Sequence, residues 1–343
     1  MRNIKRLLPV LLICALLLSG CQNSVNQAED LGQDQHDSQN AGEDDSVDTP
    51  TVPADSGEPV YPTDFSDQEA VDAFLSAKDF WGYVPVISLS SLMPDGSDFK
   101  IQRLLTEDGL YKTPQGGGTD GTYVYLDMNA PAYEVDGAVQ NILFKVDPST
   151  WEVAAQSESI GLDHANSITY NSKLGLLIAA HCIDGSAHDI SFVDPETLEI
   201  VDTKTLDMVV GCIAYNETRD QYVIRGRNRT TFSILDADFQ LLQSFQAEDL
   251  GLAYQSLDCD DNYIYLGDTG KKTNPGIEGI KVYNWDGELQ AIYRIDYNEE
   301  QEALFHIGND YYVTFNASGI GCIVRQLDFH GVLLSAAEED AGR

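Results

Sequence analysis

The chain has 343 residues, and its 56 Asp and Glu outnumber 20 Lys and Arg, for a formal net charge of −36. A surface this acidic repels nucleic acid and anionic lipid, so neither is expected as a partner for it as a whole. Six cysteines with no C-x-x-C and no Cys/His pair at zinc spacing give no metal site, and no motif asks for a cofactor.

The chain opens "MRNIKRLLPVLLICALLLSGCQN". Arg2, Lys5 and Arg6 precede an apolar run, Leu7 to Leu18, that is shorter than the roughly 20 residues a spanning helix needs. The run therefore reads as a signal peptide over 1–20. The stretch "LSGC" that follows resembles the bacterial lipobox, in which small residues admit the peptidase beside a cysteine that becomes lipidated. The resemblance implies that Cys21 is the first mature residue, and that its acyl chains hold the protein to the cell membrane from the extracytoplasmic side. An ordinary secretory signal with a chance cysteine is the alternative. Residues 22–60 carry ten Asp or Glu with no Lys, Arg or aromatic residue. Such a stretch cannot bury enough apolar surface to offset its ordering entropy, so 21–60 reads as a disordered acidic tether.

Residues 61–98 form an extension with one predicted helix, "SDQEAVDAFLSAKDF" (66–80). Ser66 and Glu69 have capping-box spacing, and Val71, Phe74 and Leu75 give an apolar face to dock outside the following domain.

From residue 115 the chain repeats every 42–48 residues. "ILFKVDPSTWEVAAQ" (142–156) and "ISFVDPETLEIVDTK" (190–204) are the clearest copies, with weaker ones at 232–246, 280–294 and 323–337. Each is an alternating strand, a tight turn at Asp147, Asp194, Asp236, Asn284 or Asp328, and a second strand; Asp and Asn suit the turn by bonding their own backbone. A further strand pair precedes each copy, making four strands per unit. This predicts an all-β domain over 99–343, a β-propeller of about five four-stranded blades, with a sixth possible. A β-sandwich array is the alternative, but it would not repeat its turn chemistry so regularly. The spacing and the "VDP" hairpins resemble the NHL and YncE-like bacterial propellers. "FKIQRLL" (99–105) is expected either to close the ring as an outer strand or to begin an incomplete sixth blade.

Propeller architecture brings the d–a and b–c loops of all blades to one face. Alignment on Tyr123 and Tyr263 then lines the channel mouth with Gln115, Asn166, Gly211, Gln255 and Leu304, with His164 on the same rim. Around it, the third blade's b–c loop, "GRNRT", brings Arg227 and Arg229, with Arg225 at the strand end; the fourth blade's brings Lys271 and Lys272. Forked guanidinium donors suit a carboxylate or phosphate. The competing reading is that the arginines balance nearby acids. Cys182 and Cys212 form the one disulfide that the positions favour, with free buried thiols as the alternative.

Catalysis is the runner-up. Amides and glycines occupy the axis where a propeller glycosidase needs a close acid pair. Asp258, Asp260 and Asp261 fall in an a–b hairpin on the opposite face. The leading expectation is a surface-anchored lipoprotein whose propeller binds a small anionic or glycan-like ligand, or a protein partner. A glycan-active hydrolase and a scaffold within an envelope complex are the alternatives.

Overall fold

The computed structural model describes residues 58–107, 109–130, 139–182, 186–228 and 230–329. The signal sequence, Cys21, most of the tether, Arg229 and the second half of the last predicted repeat lie outside these residues.

A helix, α1 (Gln68–Leu75), and a single 3-10 turn (Phe80–Tyr83) precede the strands β1 (Ser88–Ser90) and β2 (Phe99–Gln102) and a small hairpin, β3 (Leu104–Thr106) and β4 (Gly109–Tyr111). Four complete blades follow. Blade 1 is β5 (Thr113–Thr119), β6 (Val124–Ala130), β7 (Gln140–Asp147) and β8 (Glu152–Gln156). Blade 2 is β9 (Ser167–Asn171), β10 (Leu176–Ala180), β11 (Asp189–Val193) and β12 (Ile200–Thr205). Blade 3 is β13 (Cys212–Asn216), β14 (Gln221–Arg225), β15 (Thr231–Leu235) and β16 (Leu241–Gln246). Blade 4 is β17 (Ala253–Cys259), β18 (Tyr263–Thr269), β19 (Ile277–Asn284) and β20 (Leu289–Asp296).

Blade 5 supplies only three strands in sequence: β21 (Glu300–Ile307), β22 (Asp310–Ala317) and β23 (Gly321–Asp328). Its outer place is taken from the other end of the domain. Phe99 to Gln102 pair antiparallel with Val324 to Gly321, and Ser88 to Ser90 pair with Asp328 to Gln326, so β2 and β1 share one edge of β23. The ring thus has five blades, and the first four residues of the 99–105 stretch, with β1, serve as its closing strand. Inner strand β21 packs on β5 as β5 packs on β9, which completes the circle.

Among the described residues the buried apolar side chains fall into five clusters, one for each seam between neighbouring blades. Tyr125, Leu143 and Leu177 fill the seam of blades 1 and 2, for example, while Phe305, Leu126 and Val324 fill that of blades 5 and 1. A blade is apolar on both faces and cannot bury either alone, so the closed ring is the stable unit. The glycines of "QGGGT" permit the tight approach of β5 to β9. A Cβ on Gly116 or Gly118 would sit 2.2 Å from the carbonyl oxygen of Ala165 or Ile168.

The turns behave as their chemistry dictates. The side-chain oxygens of Asp147, Asp194, Asp236 and Asn284 each accept from backbone N–H groups two to four residues on. Each such hairpin also places one residue in the left-handed region: Trp151, Leu198, Phe239 or Gly287. The a–b hairpins of blades 1 and 4 share a second device, D-x-x-Y-x-Y. One oxygen of Asp120 accepts from the N–H groups of Thr122 and Tyr123, and the other from the hydroxyl of Tyr125. Asp260 repeats this with Asn262, Tyr263 and Tyr265.

Helix α1 is capped by Asp67, whose side chain accepts from the N–H of Ala70, while Ser66 bonds Asp64 instead of forming a capping box. Val71 and Phe74 join Trp81 and Val84 in the apolar seam of blades 3 and 4, and Leu75 packs at its margin. The extension runs on along blade 4: the Tyr61 hydroxyl donates to the Ile292 carbonyl, and the Ile87 N–H to that of Arg294.

Candidate functional site

The a–b hairpins of all five blades surround the end of the channel and line an open-mouthed cavity of about 510 Å³, within the range of small-molecule sites. Its floor includes Ile168, Leu257 and Leu304 of the inner strands. Its walls carry Tyr170, Tyr215 and Tyr311, together with Asp120, Glu217, Asp258, Asp260 and Asp261. Among the described residues, His306 is the one basic residue of the lining. Its Nδ1 lies 2.8 Å from Oδ2 of Asp258. The Asp258 carboxylate, aided by Asp260 and Asp261, raises the imidazole pKa to about 9 against the opposing effect of burial. His306 also stacks on Tyr311, with ring centroids 5.5 Å apart. Tyr311 in turn donates its hydroxyl to Asp260 at 2.5 Å, and Asp260 receives the Tyr265 hydroxyl at 2.7 Å. Arg219 stands beyond the lining, over Trp285 and bonded to the main-chain oxygen of Asp261.

The residues singled out from the sequence meet at the other end of the channel. Gln115, Gln255 and Glu302 occupy β-bulges in β5, β17 and β21, where an extra residue re-aims the side chain. The fifth place on the channel rim therefore belongs to Glu302, not to Leu304, because the inner strand of blade 5 begins at residue 300, four residues before the expected start. Asn166 donates to Cys212 Sγ at 3.2 Å and to the Gln255 carbonyl oxygen at 3.0 Å, spanning the axis. Gln255 donates to the Glu302 carboxyl, which burial pushes well above its ordinary pKa. The Gln115 side-chain oxygen is buried with no hydrogen-bond partner in the protein.

The basic loops divide. Arg225 is fully buried on β14: it contacts Asp268 at 2.5 Å and donates to the Gly267 carbonyl, while Lys281 meets the other Asp268 oxygen at 3.0 Å. It is a counter-charge between blades 3 and 4 and presents nothing to a ligand. Exposed Arg227 lies beside His164, Tyr254 and Cys182, so part of the predicted rim does come together. Burial nonetheless pushes the His164 pKa down. Lys271 pairs with Glu300 at 3.1 Å, and Lys272 is exposed.

Cys182 and Cys212 are free. Cys182 Sγ lies 3.1 Å from the Tyr254 hydroxyl, and Cys212 contacts Asn166; burial raises both thiols, Cys212 to about 12. Among the described residues no three His, Cys, Asp or Glu side chains converge as a metal site. The sequence argument placed Asp258, Asp260 and Asp261 correctly in an a–b hairpin but missed His306 as their partner. The paired D-x-x-Y-x-Y hairpins were the signal that this face is built.

These features define a five-bladed β-propeller with a polar, acid-rich cavity at the a–b end of its channel. No family model matches the chain, and no curated protein matches it. Among solved structures it is similar to the glutaminyl cyclase of Myxococcus xanthus (11% identity, 67% of this chain and 95% of that one, TM-score 0.46). It is also similar to the tail fiber of Staphylococcus aureus phage P68 (12%, 75% and 56%, 0.47) and to the Cps50 (Swd1) propeller domain of Myceliophteria thermophila (9%, 66% and 99%, 0.38).

Proposed function

We propose that this protein is a binding propeller, held on the outer side of a bacterial cell membrane through lipidated Cys21, that takes a small polar ligand into its a–b cavity. The address is supported by the basic, apolar and "LSGC" segments at the N-terminus and by the acidic spacer after them. The cavity carries the ligand reading: it is lined by hairpins of all five blades, it has a size suited to a small molecule, and it combines a few fixed polar groups with tyrosine side chains. At the opposite end, Asn166 and Gln255 are already bonded across the channel, and Arg225 is spent on Asp268. The a–b end is therefore the better candidate.

Two measurements test the two halves. Radiolabelled palmitate should enter the wild-type protein in bacteria and fail to enter Cys21→Ala; equal labelling of both, or of neither, overturns the anchor. A thermal-shift screen against sugars, sugar acids, amines and short peptides should return ligands for the wild type. The same ligands should be lost on Thr218→Trp, which places an indole at an exposed rim position. Ligands that bind Thr218→Trp unchanged would move the site elsewhere.

A further inference from the structure

We propose that the a–b cavity selects an organic ammonium cation, a compact monocation with a hydrocarbon body; the proposal rests on the cavity being the ligand site. Five carboxylates line it against the single imidazole of His306, so with His306 cationic the lining carries a formal charge of −4 (five negative, one positive). Among the described residues no Lys or Arg is in the lining. The His306–Asp258 pair satisfies one acid, leaving Asp120, Glu217, Asp260 and Asp261 without an opposing charge within the wall. Low-dielectric walls focus the field of such a set and raise the local concentration of cations.

The chemistry of the walls decides which cation. A bare metal ion needs oxygen ligands converging within about 2.0–2.6 Å. Here Asp120 is fixed by two backbone N–H groups and a tyrosine hydroxyl, Asp260 by two backbone N–H groups and two tyrosine hydroxyls, and Asp261 accepts from Asn216. They are held apart on separate hairpins, or anchored to the frame, and do not close on a point. The space between them is molecular in size, and the partly exposed side chains of Tyr170 and Tyr311 stand in its wall. Aromatic faces attract alkylammonium groups through their quadrupole while offering apolar contact to the attached carbons. A cavity that is acidic, aromatic and without a basic lining side chain other than His306 fits that class, and it disfavours the carboxylate or phosphate expected at the opposite face.

The test is isothermal titration calorimetry on the full-length chain in detergent, with choline, n-butylamine, glucuronate and maltose as probes. Monocations are chosen because a polyamine would condense on the ten acids of residues 22–60. Choline or butylamine should bind at one site per chain and weaken with added salt. The double variant Glu217→Gln, Asp261→Asn should lose roughly tenfold or more in affinity. These two side chains are exposed, so the variant is expected to keep the wild-type melting temperature, and Thr218→Trp should abolish the binding. Maltose or glucuronate binding that Thr218→Trp removes, with no ammonium binding, overturns the cation and leaves the cavity standing as a ligand site. Ammonium binding that both variants retain, or binding of none of the four probes, overturns the proposal.

Discussion

Asp260 shows how much one side chain can settle. Its first oxygen closes a tight turn through two backbone N–H groups, and its second gathers two tyrosine hydroxyls from neighbouring blades. His306 works in the same neighbourhood. Its pKa of about 9, above the ordinary 6.5, is owed first to Asp258. The groups around it are Asp258, Asp260, Asp261 and Tyr311. Because the folded state holds this proton more tightly than the unfolded chain, its stabilisation is complete below pH 6.5 and is lost as pH rises through 9. Glu278 has the same sign. Burial lifts its pKa to about 8 from 4.5, so the folded state keeps a proton that the unfolded chain has released, and stability falls between those values as pH rises. Chemical denaturation should therefore give a declining stability from about pH 5 to pH 9. Glu278→Gln should flatten the lower part of the decline and His306→Ala the upper part. A pH slope that neither variant changes relative to the wild type would contradict both assignments.

Arg225 is the sharper structural test. Its guanidinium and Lys281 share Asp268 with almost no solvent exposure. Removal of Asp268 strands both buried cations, so Asp268→Asn should cost about 3–5 kcal/mol in denaturant unfolding. A cost below about 1 kcal/mol would place the pair among solvated surface ion pairs instead.

At the scale of the element, the four c–d hairpins repeat one geometry with different residues. The left-handed place is filled by Trp151, Leu198 and Phe239 in blades 1 to 3 and by glycine only in blade 4. All three large residues are buried, so apolar burial offsets a backbone cost of about 1–2 kcal/mol. The inner strand β5 obeys a different constraint. Gly118 is needed because β9 is so close that any Cβ meets the Ile168 carbonyl. Gly118→Ala should lower stability by about 1–3 kcal/mol, as other overpacked sites do. A neutral effect in a denaturant titration would mean that this seam is looser than described. The repeats, the turn residues and the position of α1 were legible because each depends on local chemistry. The start of β21 was not. Leu304 and Glu302 lie two positions apart, a step that leaves an alternating pattern in phase, so pattern alone could not distinguish them at the rim.

For the molecule as a whole, the ring is closed by chain from its two ends. β23 finds its outer partners in β1 and β2, more than two hundred residues earlier in sequence. Deletion of residues 58–102 would open that edge and bare the seam of blades 3 and 4 that Val71, Phe74 and Trp81 cover. The truncated chain should unfold in a broader, less cooperative transition with a lower midpoint. An unchanged sharp transition would show that the five blades close without the extension. The acidic excess belongs to this scale too, but it does not by itself choose which end of the channel is used.

The sequence alone determined the fold class, the blade repeat, the turn chemistry, the placing of Asp258, Asp260 and Asp261 in an a–b hairpin, and the expectation of an N-terminal lipid anchor. Each follows from periodicity or from residues adjacent in the chain. Tertiary structure decided that Arg225 is enclosed, that the closing strands come from the N-terminus, and that a cavity forms at the a–b end with His306 against Asp258. Those outcomes depend on which blades become neighbours and how closely their inner strands approach, and contacts between residues 42 to 240 positions apart leave no local signal.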